Sequence, residues 1–207
     1  RRQRQMCIRD SLGLIKTNCY LISTDKAAVV IDPGFKTEIT ADFLKANRGK
    51  ARMILITHAH FDHIGGAEAL RDETGVEIGI GELDAPALRD TELNLSDKFH
   101  AHIAPFSADR TFCDGEKFSV GDIDFEVILT PGHTVGGVSY LSGESLFSGD
   151  TLFAGAVGRT DMPGGSLKAL KKSLKRLIAL PEETKVYPGH GDFTTVGYEK
   201  ENNMFVW

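Results

Sequence analysis

Short apolar runs that stop abruptly at polar residues set the rhythm of this chain. C-Y-L-I at 19–22, a polar turn at 24–26 and A-V-V-I at 28–31 read as a strand hairpin ending at Asp32-Pro33-Gly34. Residues 38–47 place Ile39, Phe43, Leu44 and Ala46 on one helical face, closed by Asn47 and Gly49. A strand at 53–56, a helix at 67–73, a short strand at 76–80 and a helix at 82–89 with Pro86 near its start follow. Strand, helix, strand implies a parallel crossover. Residues 91–111 lack periodicity and are long for a loop, which marks a lid or binding segment. Phe99 and Phe106 either line a substrate mouth there or pack inside. Strands at 117–120, 123–129, 138–141 and 145–147 precede the clearest amphipathic helix, 166–180. Ser166 is its N-cap, Leu167, Leu170, Leu174, Leu177 and Ile178 share a face, and Pro181 stops it before a last strand at 185–187.

The polar stops carry the candidate chemistry. After the run at 53–56 the sequence reads T-H-A-H-F-D-H-I-G-G, so His58, His60, Asp62 and His63 fall together. An extended chain alternates its side chains, so His58 and His60 point one way and grip one ion, while Asp62 and His63 serve a second position. Three later stops have the same grammar of strand, tight turn and ligand type: P-G-His133-T, S-G-Asp150-T and P-G-His190-G. Loops at one sheet edge would gather these groups on a rigid scaffold. His100-x-His102 has the spacing of a metal pair, but no carboxylate or flanking Gly supports it, and a surface or lid role is the better reading. Asp32 is suited either to turn chemistry or to accepting the free N–H of a metal-bound histidine.

H-x-H-x-D-H followed by P-G-H-T, S-G-D-T and P-G-H-G resembles the metallo-β-lactamase superfamily, over nearly the whole chain. L-F-S-G-D-T-L-F-A-G-A-V-G-R-T-D-M-P-G-G-S at 146–166 is most similar to single-domain glyoxalase II-like hydrolases. The resemblance implies an α/β fold, a four-layer αβ/βα sandwich with a metal site at one edge between the sheets. It implies two divalent ions, zinc first and iron or manganese as substitutes. His58, His60 and His133 would hold one ion, Asp62, His63 and His190 the other, with Asp150 bridging and Asp32 behind the ligands. Between such ions a bridging hydroxide is a nucleophile at neutral pH, oriented by Asp62, and a thiolate is an undemanding leaving group. The implied activity is hydrolysis of a small-molecule thioester of the hydroxyacyl-glutathione type. Larger glyoxalase II enzymes carry a further helical domain with basic glutathione contacts. Here the residues after His190 hold no Lys/Arg cluster and end E-N-N-M-F-V-W in place of an N-P-F ending. A glutathione-linked substrate is therefore less firmly implied than a thioester. Arg159 and Asp161 flank the bridging position; Arg159 either binds a substrate carboxylate or pairs with Asp161.

The alternative enzyme is a persulfide dioxygenase, which shares a G-R-T-D loop but uses one iron held at positions matching His58, His133 and Asp150. Gly137, where that group often has Cys, and M-P-G-G in place of Q-Q-G both favour the hydrolase. A β-lactamase of the broad-spectrum class would have Cys where Asp150 stands, and a binding module would be expected to lack a ligand.

Composition narrows partners more than chemistry. A chain of 207 residues with 41% hydrophobic and 26% charged content supports one domain, expected over 12–207. A net charge of -5 disfavours a broad nucleic-acid surface, and no apolar run approaches the ~20 residues of a membrane span. Cys7, Cys19 and Cys113 form no C-x-x-C or disulfide pattern, which fits a reducing cytoplasm. The basic, aperiodic opening at 1–11 reads as a non-native or disordered leader, with the first edge strand truncated or replaced.

Overall fold

The computed structural model describes the backbone of residues 6–12 and the whole of residues 16–206. Strand periodicity builds its layers. β1 (Met6–Leu12), β2 (Thr17–Ser23) and β3 (Ala27–Ile31) form an antiparallel series. α1 (Glu38–Ala46) crosses to β4 (Ala51–Ile56), which lies parallel to β3 as the crossover predicts. A single helical turn, α2 (Phe61–Ile64), and α3 (Ala67–Thr74) lead to β5 (Ile78–Gly81). A 3-10 turn, Ala85–Arg89, stands where the pattern predicts a helix, with Pro86 in its first turn. β6 (Arg110–Phe112) completes a first sheet of order β1-β2-β3-β4-β5-β6.

The second half supplies β7 (Lys117–Val120), β8 (Ile123–Leu129), β9 (Val138–Ser142) and β10 (Ser145–Gly149) as an antiparallel run. A small hairpin of β11 (Leu152–Phe153) and β12 (Ala156–Val157) precedes α4 (Leu167–Leu177). β13 (Lys185–Pro188), β14 (Thr194–Thr195) and α5 (Val196–Asn202) close the fold, giving a second sheet of order β14-β13-β10-β9-β8-β7.

Alternation along each strand sorts the core into three slabs. Cys19, Leu21, Val30, Ile54 and Ile56 face α1 and α3, while Tyr20, Ile22, Val29, Ile31, Met53 and Leu55 face the second sheet. From that sheet Phe125, Val127, Tyr140 and Phe147 point inward, and Ile128, Leu146 and Val186 point outward against α4 and α5. Helix, sheet, sheet and helix therefore stack as the four-layer α/β sandwich.

Three expectations are corrected. Met6–Leu12 is paired with β2 from Met6↔Ser23 to Leu12↔Thr17, so an edge strand stands where a disordered leader was expected. Main-chain pairing at a sheet edge needs no side-chain alternation, which is why the tract looked aperiodic; residues 1–5 lie outside the described residues. α1 buries Thr40, Ala41 and Leu44, while Ile39 is exposed, because the helix is seated on the sheet through Ala41 and Leu44, about one residue round from the expected face. Leu167 likewise faces solvent at the start of α4, although Ser166 is the N-cap as expected.

Two tyrosines bind the sheets together at the edge where the ligand loops begin. Tyr140 Oη donates to the Ile56 carbonyl at 2.9 Å, and Tyr20 Oη to the Pro188 carbonyl at 2.6 Å. Each carbonyl lies two residues before a candidate ligand, His58 or His190. Tyr140→Phe is expected to lower unfolding free energy by about 1 kcal/mol, measured by urea denaturation, because one buried hydrogen bond across the sandwich is lost.

Candidate metal centre

Every candidate ligand lies in a loop or turn leaving the same edge of the sandwich. β4 ends at Ile56 and delivers His58 and His60; α2 then carries Asp62 and His63. His58 and His60 fall in one set as expected, although the chain bends at Thr57 and His58 and is not extended there, while adjacent residues in a strand would point apart. The helical turn at Phe61–Ile64 is what brings Asp62 and His63 to a common site. His133 follows β8, Asp150 follows β10, and His190 follows β13. Potential ligand atoms lie within 4.8 Å of one another in three overlapping sets: His58, His60 and His133; His58, His63 and Asp150; Asp62, His63 and His190.

Asp150 faces both sides. Its Oδ1 is 3.4 Å from His63 Nε2, while its Oδ2 is 3.5 Å from His133 Nε2 and 3.4 Å from His190 Nε2. Asp62 Oδ2 is 3.2 Å from His190 Nε2 and 3.5 Å from His63 Nε2. Among the described residues, Nε2 of His58, His60, His63 and His133 and Oδ1 of Asp150 are buried without a hydrogen-bond partner. Leaving such atoms bare costs about 1–3 kcal/mol each, so five of them aimed at one space mark a site built for cations. Imidazole nitrogen and carboxylate oxygen are the donors that divalent zinc, iron and manganese accept.

The opposite ring nitrogens are anchored. Asp32 Oδ2 pairs with His63 Nδ1 at 2.9 Å and accepts from Thr57 Oγ1 at 2.7 Å; Asp32 Oδ1 accepts from Thr57 N at 2.7 Å. Thr57 Oγ1 in turn lies 3.2 Å from His58 Nδ1, so one carboxylate orients two imidazoles. Asp32 adopts φ 51°, a left-handed backbone that Asp tolerates better than most residues. His133 Nδ1 donates to the Arg159 carbonyl at 2.7 Å. These bonds assign the proton to Nδ1 and leave Nε2 for the centre.

Pattern reading missed three contributors. Thr17 Oγ1 donates to Asp62 Oδ2 at 2.7 Å. Buried Asp84 accepts from Ala59 N, Thr134 Oγ1 and Gly136 N, tying the His58–His60 loop to the His133 loop. Burial pushes the Asp84 carboxyl up, and the three hydrogen bonds oppose that shift. Neither residue sits in a ligand motif, and Asp84 is a lone acid beside a turn. Gly189 is the third: a Cβ there would stand 2.1 Å from Asp150 Oδ1 and 2.7 Å from His63 Cε1, so only glycine lets the chain pass the centre.

The remaining candidates belong to none of the three ligand sets. Arg159 and Asp161 form a bidentate ion pair at the cleft mouth, 2.7 and 2.6 Å. His100 and His102 are exposed and belong to none of the three sets. Phe99 lines the cleft, whereas Phe106 is buried with Leu88 in the first helix–sheet slab.

Electrostatics divide the imidazoles. Burial, reinforced by neighbouring imidazoles, holds His58 well below its ordinary value and His60 at about 3. Burial also opposes charge on His63, but Asp62, Asp150 and Asp32 outweigh it and raise His63 well above its ordinary value. At His190, burial is overcome by hydrogen bonds to Asp150 and Asp62, lifting it to about 9. Burial works against ionised Asp62, yet His63 and hydrogen bonds from His190 and Thr17 bring it to about 2.

Residues 12–190 match the metallo-beta-lactamase superfamily, and the chain belongs to that superfamily. It is 33% identical to the probable metallo-hydrolase YqgX of Bacillus subtilis strain 168, covering 96% of each chain. It is 35% identical to the hydroxyacylglutathione hydrolase GloC of Haemophilus influenzae, over 91% of this chain and 92% of that one. Among solved structures, the BLEG-1 B3 metallo-beta-lactamase superposes with TM-score 0.89 at 38% identity, over 97% and 99% of the two chains. TTHA1623 in a di-iron-bound form gives 0.84 at 37% identity over 96% and 99%. ETHE1 from Myxococcus xanthus gives 0.76 at 31% identity over 96% and 83%.

Two outcomes follow for metal binding. Asp32→Asn replaces the carboxylate behind His63 and is expected to weaken metal affinity by about 10–100-fold in chelator competition. In the metal-free protein at pH 7, His63 and His190 hold protons because both are raised, whereas His58 and His60 are neutral. Zinc uptake at pH 7 should therefore release about two protons from these imidazoles, with any from metal-bound water in addition, read by calorimetry in buffers of different ionisation enthalpy. Affinity should fall as pH is lowered.

Proposed function

We propose that this protein is a dinuclear metal-dependent hydrolase that cleaves thioesters by attack of water. Zinc is the first candidate metal, with iron or manganese as substitutes. His58, His60 and His133 would hold one ion and Asp62, His63 and His190 the other, with Asp150 between them. The observation that carries this reading is the set of five buried ligand atoms without partners, converging beside an intact second set. Divalent ions there supply Lewis acidity, polarising a carbonyl and lowering the pKa of water toward ~7.

The chain's own residues do the rest. Asp62, with a pKa of about 2, is an ionised acceptor at neutral pH. It orients an attacking water through a hydrogen bond and is too weak a base to store the proton. Phe61, Leu95 and Met162 keep bulk solvent from one side of the cleft. Among the described residues that line the cleft there is no serine or cysteine nucleophile and no lysine or tyrosine proton donor; Lys98 stands outside it, at the mouth beside Met162 and Phe99. A substrate whose leaving group needs no general acid suits the cleft, and a thiol of pKa ~8.5 meets that condition. The name of the relative GloC supports hydroxyacyl-glutathione as the reference substrate.

The likeness to ETHE1 favours a second reading, a mononuclear-iron dioxygenase using His58, His133 and Asp150. Convergence of Asp62, His63 and His190 weighs against it. One preparation distinguishes the readings: elemental analysis, S-lactoylglutathione hydrolysis, nitrocefin opening and glutathione-persulfide-dependent oxygen uptake. About two ions per chain, with thioester turnover lost by roughly 10³-fold or more in Asp150→Ala and no oxygen uptake, is the expected result. About one iron per chain with oxygen consumption would replace it with the dioxygenase, and nitrocefin turnover exceeding thioester turnover with the β-lactamase.

A further inference from the structure

The cleft beside the ligand cluster, about 340 Å³, has a wall that the hydrolytic chemistry does not itself require. Phe61, Leu95, Phe99, Phe153, Val157 and Met162 line it. Phe61, Leu95 and Met162 are 6%, 4% and 8% exposed and form their own apolar cluster, separate from the three slabs of the core. Phe99 is 45% exposed and stacks on Phe61, with ring centroids 4.9 Å apart and planes at 22°. Across the cleft, the Phe153 ring stands edge-on to His190 at 6.2 Å. An aromatic surface thus reaches from solvent to the ligand groups.

This wall is built at a conformational cost. Leu95 has φ 65° and His100 φ 53°, two left-handed backbones in side chains that disfavour them, bracketing Phe99. Asn94 fixes the turn from below: its carbonyl accepts from Phe61 N at 2.8 Å, its Nδ2 donates to the Ala87 carbonyl at 3.0 Å, and its Oδ1 accepts from Ser96 N at 2.9 Å. The strained turn is therefore anchored to α2, the element that carries Asp62 and His63.

Charge at the mouth is sparse. The Arg159 guanidinium is taken up by Asp161. Lys98 Nζ lies 3.5 Å from Met162 Sδ and 6.0 Å from the Phe99 ring centroid, and it makes no ion pair among the described residues. The glutathione moiety of a conjugate carries two carboxylates, and one unpaired ammonium is a poor match for them.

Resting on the hydrolytic reading above, we propose that the physiological substrate is a thioester bearing an apolar, aryl-sized group beside the scissile bond. That group is seated on Phe99, Leu95 and Met162, in preference to a polar hydroxyacyl conjugate of glutathione. In the reaction, the oxygen of water bonds to the acyl carbon and the carbon–sulfur bond breaks. Its electron pair leaves on sulfur, and the products are a carboxylic acid and a thiol, with no oxidant or reductant consumed. The apolar group can belong to the acyl or to the thiol half, since both flank the same bond.

Two substrate series, assayed on the metal-loaded protein, separate these sources. One varies the acyl group from acetyl to butyryl to phenylacetyl on N-acetylcysteamine. The other keeps acetyl and varies the thiol from N-acetylcysteamine to benzyl mercaptan, thiols of similar acidity. In at least one series kcat/KM should rise by about tenfold or more to the aryl member, which should also exceed S-lactoylglutathione. Phe99→Ala should shrink that rise to about threefold or less, and Phe99→Leu should restore most of it. As a readout independent of turnover, the aryl substrate's ketone isostere, with CH2 in place of sulfur, should bind the metal-stripped protein about fivefold more weakly after Phe99→Ala, by calorimetry. Flat series, preference for S-lactoylglutathione, or isostere binding indifferent to Phe99 would overturn the apolar assignment while leaving the thioesterase standing. Failure of a protein loaded with about two ions per chain to hydrolyse any thioester would overturn both.

Discussion

Four imidazole nitrogens and one carboxylate oxygen held bare in a buried space are the constraint around which this sandwich is arranged. A buried polar atom without a hydrogen-bond partner is expensive, and among the described residues five such ligand atoms gather at one edge. The chain holds them there by fixing the far side of the rings: Asp32 and Thr57 hold His58 and His63, and the Arg159 carbonyl holds His133. Asp32 lies at the end of β3, beside β4 in a parallel pair, so the carboxylate and the ligand loop it supports leave adjacent strands in the same direction. Parallel pairing is thus the fold's contribution to the geometry of the site.

Packing and chemistry meet in the sheet-to-sheet slab. Tyr20 and Tyr140 fill that slab with aromatic area and spend their hydroxyls on the carbonyls just before the ligand loops. A rigid hydrophobic interior thereby sets the height of His58 and His190 relative to each other. Asp84 adds a third brace between the His58–His60 and His133 loops. The ligands come from distant parts of the sequence, but every loop that carries them is tied to its neighbour by a buried hydrogen bond or a shared strand edge.

The cleft shows a different economy. Its floor of candidate ligands is polar and densely charged, whereas the wall rising from it is aromatic and aliphatic. The segment after residue 90 forms that wall by accepting left-handed backbone at Leu95 and His100. Phe106, in the same segment, turns inward and anchors the loop to the helix–sheet slab. One irregular stretch is therefore half core and half binding surface, which explains its lack of periodicity.

Sequence alone determined the element types and the polar stops that carry the candidate ligands, while the layer order was implied by the family resemblance. Short apolar runs such as Cys19–Ile22, Met53–Ile56 and Phe125–Ile128 mark strands, and each polar stop after such a run marks a candidate ligand, because both signals are local and repeat within a few residues. Only the tertiary structure decided which ligands share a space, that Asp62 and His63 use a helical turn, and that Thr17, Asp84 and Gly189 serve the site. It also decided the phase of α1 and the pairing of Met6–Leu12, since edge pairing runs through main-chain groups that no side-chain pattern records. The division has one physical cause. Propensity and alternation act over neighbours in the chain, whereas coordination, close backbone approach and desolvation depend on atoms brought together across more than a hundred residues.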